Sequence, residues 1–183
     1  MDPTLRREIL DILSEASDLT VATLREDGYP QATTVSYAND DLEIYFGTSA
    51  GSQKAKNLAR NAKVSATVCL PYRDWGEIRG LSMSGKAERL TDPPHIARAE
   101  ELLLRRFSQS IAQYALAPLD NVIFFRVRPE VISVLDYRKG FGHTDLVEFS
   151  SCGAPSEALI RARWPAPTAQ LTDARATEPR FCR

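Results

Sequence analysis

Apolar residues at Leu5, Ile9, Ile12, Leu13 and Ala16 recur at helical spacing, and Asp2-Pro3 ahead of them reads as an N-cap followed by a first-turn proline. A helix over roughly 3–16 is predicted. From Leu19 the period shortens to two. Leu19–Arg25 and Gln31–Tyr37 read as strands around an Asp27-Gly28 turn, with Leu42–Gly47 as a third after the turn Asn39-Asp40-Asp41. A short helix over about 52–61 follows, with Ala55, Leu58 and Ala59 as its core face, and then a strand over Lys63–Leu70. Glu77–Leu90 reads as a long, bent strand, with Gly80 and Gly85 as points of bulge or close backbone approach. Asp92-Pro93 opens a second long helix carrying Ile96, Leu103, Phe107, Ile111 and Tyr114. Asn121–Val127 and Glu130–Leu135 are expected to form a last strand pair, split by Arg128-Pro129.

Six or seven strands joined mostly by tight turns predict a mainly β (α+β) domain, a closed or nearly closed antiparallel barrel with three peripheral helices. That domain is expected over residues 1–150. Over 151–183 the periodicity is lost, and the segment reads as an irregular or disordered tail without a function of its own.

Composition narrows the function classes. A chain of 183 residues with a net charge of −1 offers no global attraction to nucleic acid or to an anionic membrane. No apolar run approaches a membrane span, and the N-terminus lacks a signal-peptide pattern. The three cysteines, Cys69, Cys152 and Cys182, have no metal-site spacing, so reduced thiols in a cytoplasmic protein are expected.

One stretch concentrates unusual chemistry. Between Glu43 and Asp74 there is no acidic residue, while Lys54, Lys56, Arg60, Lys63 and Arg73 all fall there. Lys54 and Lys56 occupy the start of the short helix, the end that ordinarily attracts carboxylates. With the hydroxyls of Thr48, Ser49 and Ser52, and Gly51 for close approach, they describe an anion cradle at a helix N-terminus. Serine and glycine also serve as ordinary caps, and lysines often form only a solvated face. The stretch is not a P-loop, and no G-x-G-x-x-G occurs in the chain.

Elsewhere the chemistry is sparse. Cys69 reads as a small core residue of an apolar strand, and Ser84 as a strand residue. His95 reads as a surface or capping residue, and His143 lies in a loop with Arg138, Lys139 and Asp145. No G-x-S-x-G elbow, H-x-x-x-H spacing or carboxylate pair is present, so no catalytic side chain or metal site is assigned. Redox or transfer chemistry would come from a cofactor, and a phosphate cradle beside an apolar barrel suits a phosphorylated aromatic one.

The stretch Thr48-Ser-Ala-Gly-Ser-Gln-Lys54, the following Lys63-Val-Ser-Ala-Thr-Val68 and the later Ser84-Gly-Lys-Ala-Glu-Arg-Leu90 resemble the pyridoxamine 5'-phosphate oxidase-like, FMN-binding split-barrel family. The resemblance implies a homodimeric flavoprotein with FMN in the groove between subunits. It implies that Thr33, Thr34, Val35 and Ser36 run beside the isoalloxazine and ribityl chain. Thr48 and Ser49 then reach the phosphate side, with Ser52 and Lys54 gripping the phosphate. Gln53 stands where the authentic oxidase has arginine. Arg79 or Gly80 approaches the flavin from a later strand, and a polar residue of the Trp75 loop or the 138–143 loop is a candidate contribution from the partner subunit. Leu135–Leu146 lacks the Trp strand and Arg-x-x-Arg segment of the authentic oxidase, so vitamin B6 oxidation is not expected.

The expectation is an FMN-dependent oxidoreductase of unassigned substrate. The alternatives are a deazaflavin (F420) reductase, a non-catalytic flavin- or heme-binding protein using His143 as axial ligand, and a cofactor-free barrel whose basic helix meets an acidic partner.

Overall fold

The computed structural model describes residues 1–114 and 121–149. Its elements, in chain order, are α1 (Pro3–Glu15), β1 (Asp18–Leu24), β2 (Pro30–Ser36), β3 (Ala38–Asp40), β4 (Glu43–Ser49), α2 (Gln53–Arg60), β5 (Lys63–Cys69), β6 (Arg79–Arg89), α3 (Pro93–Tyr114), β7 (Val122–Asp136) and β8 (Thr144–Glu148). Single 3-10 turns sit at Trp75–Glu77 and Tyr137–Lys139. The strands form one antiparallel sheet in the order β2-β1-β5-β6-β7-β4-β3, with β8 also on β7. It curls into a half-barrel around Val21, Tyr37, Phe46, Leu81, Ile132 and Val134, with α1 packed on the same core.

The β6–β7 ladder is the spine. It runs from Arg79↔Asp136 to Arg89↔Phe125, with a register shift between Ser84 and Gly85. A Cβ on Gly85 would lie 2.2 Å from the Arg128 carbonyl oxygen, and one on Gly80 would lie 2.6 Å from that of Val68. Both glycines are therefore the close-approach points expected of them. The expected break at Arg128-Pro129 does not occur: β7 is one continuous strand. Its pairing to β4 ends at Val127 and its pairing to β8 begins at Val131, so Pro129 falls where neither ladder needs its missing N–H. Across the other ladder Pro129 faces the bulge at Gly85.

Other expectations shift locally. The turn after β3 is Asp41-Leu42 rather than Asn39–Asp41. Asp41 takes the left-handed conformation (φ 53°), and the Asn39 amide donates to the Asp41 carbonyl at 2.9 Å. This shift creates β3 and extends β4 through Ser49. β8 is not among the strands the sequence predicts: it is only five residues long and directly follows the charged, glycine-containing run Asp136–His143. Cys69 is exposed: Val64, Ala66 and Val68 take the inward positions of β5, so period-2 alternation turns Cys69 outward. The expected tail, 151–183, lies outside the described residues.

Polar ties fix the helices. Asp2 caps α1 as expected, accepting from the Thr4 and Leu5 amides. At the other end of α1 the Arg106 guanidinium, from α3, donates to the Leu13 and Ala16 carbonyls. It also stacks 4.4 Å from the Tyr37 ring centroid, while the Tyr37 hydroxyl donates to Leu13 O at 2.8 Å. One side chain thus satisfies helix-terminal carbonyls that have no partner within the helix.

Two substitutions test this frame by chemical denaturation. Gly85→Ala is expected to cost about 2–4 kcal/mol, because the added methyl meets backbone rather than a movable side chain. Arg106→Ala is expected to cost about 2–3 kcal/mol by stranding the α1 carbonyls.

Candidate functional site

α2 leaves the end of β4 and crosses toward the β1–β2 hairpin, bridging strands that the sheet itself does not join. Ser52 caps it by accepting from the Ala55 amide at 3.1 Å, and the Ser52 hydroxyl lies 3.1 Å from that of Thr48. The far anchor is Asn57, which is buried. Its amide donates to Thr23 Oγ1 at 2.9 Å and to Gln31 Oε1 at 3.1 Å, and its carbonyl accepts from Gln53 at 2.9 Å. Asn57, not Ala59, therefore completes the core face, and Ala59 is exposed. An asparagine inside an apolar-period position next to Leu58 was the signal available in the sequence.

The N-terminus of α2 carries no acid in its first turn. The amides of Gln53 and Lys54 point out of the helix with no turn behind them to supply an acceptor. Lys54 is half-buried, its ammonium 5.8 Å from the Phe46 ring centroid, and among the described residues it forms no ion pair. Burial pushes its pKa below the ordinary lysine value. A charge held partly out of water without a counter-ion, near two hydroxyls at a helix N-terminus, is chemistry suited to an anion.

The sequence-predicted residues fall into three groups. Thr48, Ser49, Gly51, Ser52, Gln53 and Lys54 come together around the start of α2; Gly51 and Gln53 are exposed, and the Ser49 hydroxyl accepts from the Gly51 amide at 3.3 Å. On β2, Val35 is buried and Thr33 half-buried, whereas Thr34 and Ser36 are exposed on the opposite face. Arg79 and Gly80 lie at the far end of the spine: Arg79 pairs with Asp136, the last residue of β7, whereas Ser49 pairs with Val122, the first. Within one chain they are not joined to the cradle. Gly80 is required by its contact with Val68, and Arg79 lies 3.7 Å from Glu15 with its buried Nε unpartnered.

The 136–145 segment is a charge network. Asp136 is buried and accepts from Arg138 Nε at 2.8 Å and Nη2 at 2.7 Å. That guanidinium holds its carboxyl well below the usual carboxylate range. Lys139 bonds Glu8 at 2.7 Å and Asp145 at 3.3 Å, and His143 Nε2 lies 3.0 Å from Asp145 Oδ2. The imidazole is thus tied into a structural cluster. His95 is exposed beside Asp92. Among the described residues no three His, Cys, Asp or Glu side chains form a metal-binding group, and no helix is long and apolar enough to cross a membrane.

The outward face of the sheet is uniform. Aligned across the ladders, Thr34, Thr20, Thr67, Ser82 and Ser133 form one row, and Ala32, Ala22, Ser65, Ser84 and Val131 the next. Solvent-facing rows of antiparallel sheets ordinarily carry large polar or charged residues. These ten positions carry none.

The sequence profile described as pyridoxamine 5'-phosphate oxidase matches residues 5–136. The chain belongs to the pyridoxamine 5'-phosphate oxidase family. It is 37% identical to the pyridoxine/pyridoxamine 5'-phosphate oxidase of Vibrio cholerae over 81 residues, which cover 43% of this chain and 36% of that protein. The chain therefore spans about a third of the length of that curated relative. Among solved structures, the conserved hypothetical protein Rv2991 of Mycobacterium tuberculosis is 28% identical, with a TM-score of 0.65 over 76% of this chain and 87% of that one. A heme-binding protein of Mycobacterium smegmatis has a TM-score of 0.67 at 21% identity, covering 81% and 59% of the two chains. An FMN-binding, oxidase-related protein of Nostoc punctiforme has a TM-score of 0.67 at 15% identity, covering 88% and 98%. The last two establish the split-barrel fold alone.

The acid limb of stability tests the charge network. Asp136 has its pKa lowered from 3.8, so its stabilising contribution is complete above about that pH and is lost as pH falls through the lower folded value. Asp136→Asn is expected to flatten the fall in stability below pH 4 and to cost about 1.5–3 kcal/mol at neutral pH.

Proposed function

We propose that this chain is an FMN-dependent oxidoreductase acting as a homodimer, with the cradle at the start of α2 holding the phosphate. The half-buried, unpaired Lys54 carries this reading. An anion there would restore the charge stabilisation that burial removes, and would complete the hydrogen bonding of the Gln53 and Lys54 amides. Thr48 and Ser52 offer hydroxyls on the same side. When bound, FMN supplies hydride transfer at its N5. The protein's own part is to grip, orient and exclude water.

Thr34 and Ser36 present hydroxyls on the small-residue face, and Thr33 and Val35 turn inward. Contact of all four with one ring system therefore runs through the β2 backbone, whose outer edge is not paired in the sheet. A second copy seated on the small-residue face gives these outward hydroxyls a buried setting. The family relationship and the fold shared with the Nostoc FMN-binding protein agree with this reading. The half-buried Lys54 and the hydroxyls beside it, rather than His143, carry the preference for a phosphate-anchored flavin. Reaction with vitamin B6 is not proposed.

Purified protein is expected to retain flavin absorbance after addition of FMN and removal of the excess. Lys54→Ala is expected to weaken FMN binding by about tenfold or more, equivalent to about 1.4 kcal/mol, with partial recovery in Lys54→Arg. Protein that takes up no FMN, or shows deazaflavin or heme bands instead, overturns the assignment. In parallel, Thr67→Arg is expected to convert a dimer to a monomer in sedimentation and to lower flavin retention; an unchanged sedimentation coefficient counts against the dimer face.

A further inference from the structure

No ladder among the described residues joins β2 to β4, so side chains set the width of the split between them. At the cradle end one set of side chains crosses it. Thr23 and Gln31 stand directly opposite each other on β1 and β2, both on the inward side of their strands. Asn57 of α2 meets this pair with both N–H groups of its amide, Thr23 Oγ1 at 2.9 Å and Gln31 Oε1 at 3.1 Å. Its amide oxygen accepts from Gln53 Nε2 at 2.9 Å. Gln53 is the residue before Lys54, and Thr33 is the next inward position of β2 after Gln31. On the β4 side, α2 is held by the Ser52 amide donating to Ser49 O at 3.0 Å and by the Thr48–Ser52 hydroxyl pair.

This relay is more specific than packing requires. Asn57 is buried in the inward stripe of α2 with Ala55 and Leu58. A leucine there would bury apolar area and carry no polar group to satisfy. Asparagine instead commits both N–H groups and its oxygen, and any displacement of α2 from the β1–β2 hairpin leaves a buried donor or acceptor unpaired. The relay therefore holds one relation between two parts of the candidate site. One part is the cradle, and the other is the stretch Thr33–Ser36 of β2. Among the described residues no hydrogen bond runs from Ser52 or Lys54 to β2, so that relation passes through Asn57.

We propose that Asn57 and Gln31 are positioning residues, which fix the phosphate seat relative to β2 without touching the ligand. The inference rests on the reading of FMN binding at the cradle. It adds that the grip of Lys54 counts only while the relay is intact. A ligand that must meet two anchors at once forfeits one of them when their spacing is wrong by about 1 Å.

A double-mutant cycle tests this, with FMN affinity read by equilibrium dialysis and folding of each variant checked by circular dichroism. Asn57→Leu is the direct break of the relay. Gln31→Met, at a half-buried position, keeps the side-chain length, removes the acceptor and spares the fold. Lys54→Ala removes the grip. No hydrogen bond or ion pair joins Gln31 to Lys54, so independent effects of the two would multiply. Gln31→Met is expected to weaken FMN binding about tenfold in the otherwise unchanged chain, but less than about twofold in the Lys54→Ala background. A purely structural role would lower FMN uptake by the same factor in both backgrounds. Equal weakening in both, or none in either, overturns the inference while leaving FMN binding intact. If the unmodified protein takes up no FMN, or Lys54→Ala leaves its affinity unchanged, the underlying reading falls and this inference with it.

Discussion

The β6–β7 ladder is the constraint on which the remainder of the fold depends. β7 is paired along both edges, to β6 over most of its length and to β4 and then β8 on the other side. A flat strand of that length could not serve both halves of a curled sheet. The bulge at Gly85 supplies the bend, and it exists because the Arg128 backbone occupies the space of a side chain. Placing Pro129 opposite that bulge, in the gap between the β4 and β8 ladders, removes the usual cost of proline inside a sheet. Two residues far apart in sequence, Gly85 and Pro129, are thereby made to bend together.

Because the strand path ends at β2 and β3 without hydrogen-bonded closure, side-chain ties complete what the sheet leaves open. Asn57 stitches α2 to β1 and β2, and Arg106 fastens α3 to the C-terminus of α1. Buried polar groups hold a defined geometry only when fully satisfied, and a single missing partner leaves a desolvated donor or acceptor. Asn57 meets this condition with three hydrogen bonds. Its effect is to hold the start of α2, with Lys54, at one position relative to β4. The site is thus positioned by a helix whose own length, eight residues, would not make it stable in isolation.

Much of this was legible in the sequence because it rests on short-range chemistry. Asp2-Pro3, the period-2 runs of β1, β2 and β5, the Ser52 cap and the two close-approach glycines are all local signals, and each element formed where expected. What escaped was decided by partners distant in sequence. Whether Arg128-Pro129 ends a strand depends on Gly85. Whether Asn57 or Ala59 faces inward depends on Thr23 and Gln31 waiting to receive the amide. β8 is a strand because β7 extends far enough to pair with it, although it is short and follows a run that reads as a polar loop. The cradle was visible as an acid-free basic run, but its separation from Arg79 and Gly80 by the length of the spine was not, since linear order places them close after β5.

The state of Lys54 links the site to the stability of the fold. Partial burial of an ammonium without a counter-ion is unfavourable, and the protein retains it at the mouth of a split that is closed by side chains rather than by a ladder. An anion bound there would relieve that cost only in the folded state, so binding and folding are coupled by mass action. The same anion would sit against the first two amides of α2 and would add to the forces that keep the helix in place. A cradle built this way favours a ligand anchored by its phosphate over one held by its ring alone. On the reading proposed above, the ring would be defined by other surfaces, the open edge of β2 and the outward hydroxyls of Thr34 and Ser36.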